Sequence, residues 1–433
     1  MSGEVATPGV YRTILVIGGG IAGITAAVEA AEAGYDSVIV EKGPYLGGRV
    51  AQLYKYFPKL CPPYCGMEIN LRRIKNNRQV RFHTMAEVES ISGRPGNFDV
   101  TVRIRPRYVN DRCTACNACV EVCPAERPDA FNFGMGRTKA IYLPHEMAFP
   151  MKYVIDDAAC RPAECARCVE VCQYGAIDLA MPLRMINLKV GAVIVATGWD
   201  PYDARRIDNL GFGTHPDVIT NVMMERLAAP NGPTRGQILR PSDGRPVQSA
   251  AFVQCAGSRD QNHLGYCSGI CCLASLKEAT YLRERNPEAR AHIFYIDLRT
   301  PGTYEFFAQK VLADDHISIT KGKIARITAD AATRQLVVEA EDILSAVKTR
   351  LAVDLVVLAS GMVPSLATAK IAGPIALDAD HFVTAGTGDG IFAAGCAKGP
   401  FDVATSVQDA TAAAALAIEA IQTAGTPAGR ALR

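Results

Sequence analysis

The stretch Thr13-Ile-Leu-Val-Ile-Gly-Gly-Gly-Ile-Ala-Gly23 sets the architecture. Its apolar opening reads as a buried parallel strand, because a strand covered on both faces shows no polar alternation. Gly18, Gly20 and Gly23 follow at the spacing with which glycines let a backbone turn tightly and approach a pyrophosphate, seated on the positive end of the next helix. That helix is Ala-rich, runs to about Ala33 and is closed by Gly34. A second strand, residues 37–41, ends in Glu41, the place for a carboxylate that accepts hydrogen bonds from ribose hydroxyls. Strand, helix and strand make the opening of an α/β dinucleotide-binding fold.

Three further pieces select the dinucleotide: Gly47-Gly48-Arg49, Ala196-Thr197-Gly198 after an apolar strand, and Gly390-Ile-Phe-Ala-Ala-Gly395 before a C-terminal helix at about 404–423. Together they resemble two-dinucleotide-binding-domain flavoproteins of the thioredoxin reductase kind, which implies FAD. The contacts so implied are Gly18, Gly20, Ile21, Ala22, Gly23, Glu41, Lys42, Gly48, Arg49, Ala196, Thr197, Gly198, Gly395, Cys396 and Val403. In that family an Asp usually follows the last glycine, where this chain has Cys396, read as a small packed residue. A second glycine fingerprint should also mark a nicotinamide site after a strand at 250–254. It is missing, and the chain runs instead into Gln254-Cys-Ala-Gly-Ser-Arg259.

Fifteen cysteines are the outlying feature of the composition. Reduced thiols clustered at short spacings point to metal ligation rather than disulfides. Cys113-x2-Cys116-x2-Cys119-x3-Cys123-Pro124 matches the bacterial ferredoxin run, in which three thiolates reach one cubane and the fourth reaches its neighbour. Cys160, Cys165, Cys168 and Cys172 repeat the end spacing with a longer first gap. By ferredoxin logic Cys113, Cys116, Cys119 and Cys172 hold one [4Fe–4S] cluster, and Cys160, Cys165, Cys168 and Cys123 the other. Zinc also takes four cysteines, but zinc ribbons separate two pairs rather than running four together. Cys255, Cys267, Cys271 and Cys272 fit neither pattern, and by spacing alone remain open between a cluster and buried or redox-active thiols. Adjacent cysteines serve one metal only across a sharp bend, which Gly265 and Gly269 could supply. His263 is the one histidine inside a cysteine group.

The 433 residues and 49% hydrophobic content leave ample core, and 46 basic against 44 acidic residues argue against nucleic acid as a partner. The first twelve residues lack a basic lead and apolar stretch, and no apolar window approaches the roughly 20 residues of a membrane span. A cytoplasmic protein with no direct membrane span is therefore expected. The expected layout is a first part of the FAD domain at 1–106, an inserted ferredoxin-like domain at 107–180, FAD-domain continuation and linker at 181–245, a degenerate NAD-like domain at 246–365, and a return to the FAD domain at 366–433.

The third cysteine spacing, the insertion, and stretches such as Lys152-Tyr-Val-Ile-Asp, Val190-Gly-Ala-Val-Ile-Val-Ala-Thr-Gly-Trp-Asp-Pro and Gln254-Cys-Ala-Gly-Ser-Arg resemble the flavoprotein A-subunit of heterodisulfide reductase almost end to end. The resemblance implies a third [4Fe–4S] cluster at Cys255, Cys267, Cys271 and Cys272, and assembly with other redox subunits. The shorter length resembles family members in quinone-interacting membrane-bound oxidoreductases or sulfur-oxidising complexes. That implies an electron-transfer oxidoreductase component of sulfur metabolism, membrane-associated only through partners, and it admits a homodimer. Cys61 and Cys65 read as a redox pair, as ligands shared with a partner, or as idle thiols. The rival function is a self-sufficient NAD(P)H-dependent enzyme resembling the small subunit of glutamate synthase, against which the missing fingerprint speaks.

Overall fold

The computed structural model describes residues 9–384 and 389–426. The opening stretch forms the strand Thr13–Ile17 and the helix Ile21–Glu32, and the next strand is Asp36–Glu41. They join a parallel five-stranded sheet in the order Ile391–Ala393, Ala192–Val195, Thr13–Ile17, Asp36–Glu41, Val80–Thr84. The central strands are apolar throughout because both faces are covered. Ile14 and Val16 face a layer built on the helices Ile21–Glu32 and Val403–Ala424, whose alanines let helix and sheet approach closely. Leu15 and Ile17 face an antiparallel three-stranded sheet of Arg184–Val190, Asn97–Ile104 and Ala86–Arg94.

The same plan recurs in the second half. A parallel sheet runs Val218–Thr220, Leu355–Ser360, Ser249–Ala256, Arg290–Tyr295, Ile317–Lys321. The helices Asn221–Ala228, Cys271–Arg285 and Tyr304–Leu312 contribute to the core on one face, and the antiparallel sheet Ile324–Ala329, Leu336–Asp342, Val347–Val353 to that on the other. Trp199–Pro201 and Met362–Pro364 pair antiparallel where the chain leaves the first half and returns to it. The molecule is thus a two-dinucleotide-binding-domain fold, and the expected α/β class holds.

The ferredoxin-like segment leaves and re-enters this frame at one place. Ile104 ends one strand and Arg184 begins the next, and the two are direct partners across the ladder, so the frame can close without the residues between them. That segment has its own small core of Val109, Ile141, Tyr153, Ile155, Ala176 and Ile177, with Cys119 and Cys168 packed in it. Among the described residues no helix is long and apolar enough to cross a membrane.

Candidate flavin and iron–sulfur sites

A cavity of about 450 Å3 opens at the C-terminal ends of the first sheet's strands, within the size range of cofactor pockets. Of the residues expected there, Gly18, Gly20, Ile21, Ala22, Glu41, Lys42, Gly48, Arg49, Ala196, Thr197, Gly198, Cys396 and Val403 line it. Gly23 and Gly395 do not. Gly23 lies one turn into the helix, where any Cβ would overlap the Gly18 carbonyl, so its role is to let helix and strand close up. Gly395 sits behind the wall with φ +61, and its amide donates to Asp409 at 2.9 Å.

The glycine turn leaves room for a ligand and none for side chains. Gly18 has φ +108, and a Cβ there would collide with the Ala196 carbonyl of the neighbouring strand. Glu41 accepts from the Gly19 and Gly43 amides, each at 2.6 Å. Burial pushes its carboxyl upward in pKa and these two bonds oppose the shift. Each oxygen still has a second lone pair for a ribose hydroxyl. Thr197 Oγ1 is buried without a hydrogen-bond partner in the cavity wall, an arrangement that costs stability unless a ligand group completes it. These features fit a bound dinucleotide.

Arg49 is tied down more than its sequence position suggests, ion-paired with Asp200 and donating to the Trp199 carbonyl at 3.1 Å. Asp402 caps the last helix through Thr405 N at 2.7 Å and also lines the cavity. It brings to this end the carboxylate that Cys396 does not. Its capping spacing was readable in the sequence, but its position in the wall was not. Val88 and Ser406, two more of the lining residues, carry no sequence signal because they belong to a generic strand and helix.

The cysteines come together in three sets. Cys113, Cys116, Cys119 and Cys172 line one small void. Ala115 and Asn117 bend the chain between the first three with φ +57 and +72, and Tyr153 Oη holds Asn117 at 2.8 Å. Burial, then repulsion from Cys113, pushes the Cys119 thiol up to about 12. Burial, then repulsion from Cys123 and Cys165, raises the Cys160 thiol, and burial, then repulsion from Cys160 and Cys123, raises that of Cys168. Cys172 thus lies with Cys113, Cys116 and Cys119, and Cys123 lies beside Cys160 and Cys168. Buried thiols in such sets ionise only against a strong electrophile, which fits iron. No three His, Cys, Asp or Glu side chains among the described residues converge on a single-ion site.

Cys255, Cys267, Cys271 and Cys272 line a third void with Arg259 and Arg299. A bulge interrupts the strand Ser249–Ala256, and Cys255 takes φ +57, Gly257 +81, Arg259 +56 and Gly269 +72. The sharp bends come from these four. Gly265, expected to supply one, has an ordinary φ and contributes none. The helix begins at Cys271 itself, so its N-terminal turn presents both buried cysteines. In a nicotinamide-binding domain that turn would receive pyrophosphate. His263 does not line the void, and its Nδ1 instead meets Tyr202 Oη at 2.7 Å.

A smaller cavity of about 120 Å3 joins the two regions. Arg49, Trp199, Phe401 and Asp402 belong to its wall and to that of the larger cavity, while Gly269 and Ile270 come from the third cysteine loop. Its floor carries a buried Lys277–Glu225 ion pair of 2.8 Å with the buried Glu278 beside it. Burial, then the Glu225 charge, drives Glu278 well toward the neutral acid. Cys61 and Cys65 lie nearby at the start of the helix Pro63–Asn76, with Cys65 exposed and both sulfurs near Tyr56.

Residues 13–65 match a family described as FAD dependent oxidoreductase, and residues 106–126 match a 4Fe-4S binding domain. Thioredoxin reductases of T. acidophilum and Lactococcus lactis superpose with TM-scores of 0.52 and 0.51 at 15% identity. The matches cover 94% and 95% of this chain and 98% and 99% of theirs. Fold, cavity and matches define a class: an FAD-dependent flavoprotein of the thioredoxin reductase fold that carries a 4Fe–4S-binding ferredoxin-like insertion.

The iron-sulfur A-subunit of CoB–CoM heterodisulfide reductase from Methanocaldococcus jannaschii is 38% identical over 423 residues, and the A-subunit of the H2:CoB-CoM heterodisulfide,ferredoxin reductase from Methanothermobacter thermautotrophicus is 37% identical over 418. Over the residues it spans, the chain is similar to these A-subunits of heterodisulfide reductases. It covers 64% and 63% of those two relatives' lengths, with 94% and 93% of its own residues.

Proposed function

We propose that the chain is a non-autonomous electron-transfer subunit holding FAD in the large cavity and [4Fe–4S] clusters at the three cysteine sets. The observation that carries this reading is the third set, converging at the helix N-terminus where a nicotinamide coenzyme would need a glycine turn. FAD exchanges electrons in pairs or singly, whereas a cluster exchanges them one at a time. Around that chemistry the chain's own residues position and insulate. Glu41 and the glycine turn seat the dinucleotide, Arg49 and Asp200 brace the wall shared by the two cavities, and Glu278, driven toward its neutral form by burial beside Lys277–Glu225, lines that passage. The segments 1–106, 107–180, 181–245, 246–365 and 366–433 serve as the functional divisions of the chain.

Partners would be other redox subunits, in keeping with the relatives' names as components of larger reductases. We place the chain in sulfur metabolism beside a quinone- or sulfur-linked partner, held at a membrane only through that partner. Iron and flavin analysis of anaerobically purified protein tests the core of this. About twelve irons and one FAD per chain are expected, and a value near four would overturn it. Rapid bleaching of the flavin by NADPH would instead favour the self-sufficient enzyme.

A further inference from the structure

The voids at the first and third cysteine sets differ in charge. The first is lined, besides its cysteines, by Val109, Ile141, Tyr153, Ala176 and other residues without a charged side chain, and one cation outside that lining, the buried Arg107, acts on Cys113. The third is lined by two guanidinium groups, Arg259 and Arg299, with Asp297 as the single carboxylate. Arg259 follows the bend at Cys255, with φ +56, and its guanidinium ion-pairs with Asp297 at 2.8 Å. Backbone donors do not separate the two sets, since the Gly269 amide reaches the Cys267 sulfur at 3.4 Å and the Ala176 amide reaches the Cys172 sulfur at 3.3 Å, so the difference lies in the side-chain charges.

A cluster that gains an electron becomes more negative by one unit, so nearby cations and donors to its sulfurs favour the reduced form and raise its potential. Asp297 opposes this, but it is one carboxylate against two guanidiniums, and its exposed position lets water screen it. We propose that Arg259, with Arg299, holds the third cluster at a higher potential than the cluster at Cys113, Cys116, Cys119 and Cys172. Electrons leaving the flavin singly would then settle first at the third set, and Arg259 is a positioning and tuning residue rather than a ligand.

This rests on the third set holding a cluster, so the test separates the two ideas. Full-length protein, purified anaerobically, is titrated against redox potential by EPR in wild type, Arg259→Gln and Asp297→Asn, with iron counted in each. The third midpoint is identified as the one lost in the Cys271→Ser, Cys272→Ser variant. The expected result is a wild-type third midpoint above the first, a downward shift of that midpoint alone in Arg259→Gln, and an upward shift in Asp297→Asn, with iron unchanged. Opposite signs from the two substitutions are what a merely structural role would not give. An unmoved third midpoint in Arg259→Gln, shifts of one sign in both variants, or a third midpoint below the first overturns the inference and leaves the cluster reading standing. A wild-type count near eight with no signal lost in the double serine variant overturns both.

Discussion

Gly23 shows how a single atom constrains the flavin site from behind its wall. A Cβ there would overlap the Gly18 carbonyl, so Gly23→Ala must push the glycine turn away from the strand. Even about 1.4 kcal/mol of such displacement costs about tenfold in affinity. The purified variant should contain little FAD, read from its flavin absorbance, while iron at the ferredoxin-like segment is retained. His145 carries a pH signature. It stacks on Phe131 at 4.8 Å, and burial, then the Arg226 charge, lowers its pKa to about 4. The unfolded chain takes up this proton near pH 6.5 and the folded one resists, so stability from the neutral ring is full above pH 6.5 and lost as pH falls toward 4. Between pH 7.5 and 5.5, urea unfolding of wild type should lose about 1 kcal/mol more than His145→Asn. Equal losses would show that the ring is not the group concerned.

At the scale of elements, the crossing of the fourth cysteines makes a prediction that local spacing would get wrong. Cys172 belongs with Cys113, Cys116 and Cys119, and Cys123 with the second set. Cys172→Ser should therefore perturb the same EPR signal as Cys116→Ser, and Cys123→Ser the same signal as Cys165→Ser. The helix Cys271–Arg285 gives the complementary case. Replacing Cys271 and Cys272 by Ser should lower iron from about twelve to about eight per chain and leave FAD bound, because neither cysteine lines the flavin cavity. Both ferredoxin-like runs were legible as spacing. The turn at Cys255 was not, since a left-handed φ at a non-glycine residue has no sequence signal and is held by the bulge around it.

Across the whole molecule, Arg226 joins parts that are far apart in the chain. It is fully buried, donates to Asn132 Oδ1 at 2.8 Å, to the Gln52 carbonyl at 3.3 Å and to Asn231 Oδ1 at 2.7 Å, and lies over the Phe131 ring. Ferredoxin-like segment, flavin domain and linker thus share one cation. Arg226→Met would strand several buried acceptors at about 1–3 kcal/mol each. Its melting temperature should fall by several degrees, with the ferredoxin-like signals broadened as that segment loosens. An unchanged melting curve would count against the junction.

Spacing and periodicity along the chain were enough to encode the glycine turn with its strand and helix, Glu41, the two ferredoxin-like runs, and the want of a second glycine fingerprint. These features are local, and their physics is complete within a few residues. Folding in three dimensions was needed to establish which cysteines share a void, that Asp402 stands in the flavin wall while Gly23 and Gly395 lie behind it, and that two arginines face the third set. Each of those depends on strands and loops brought together from distant parts of the chain, where packing and buried charge, rather than spacing, choose the neighbours.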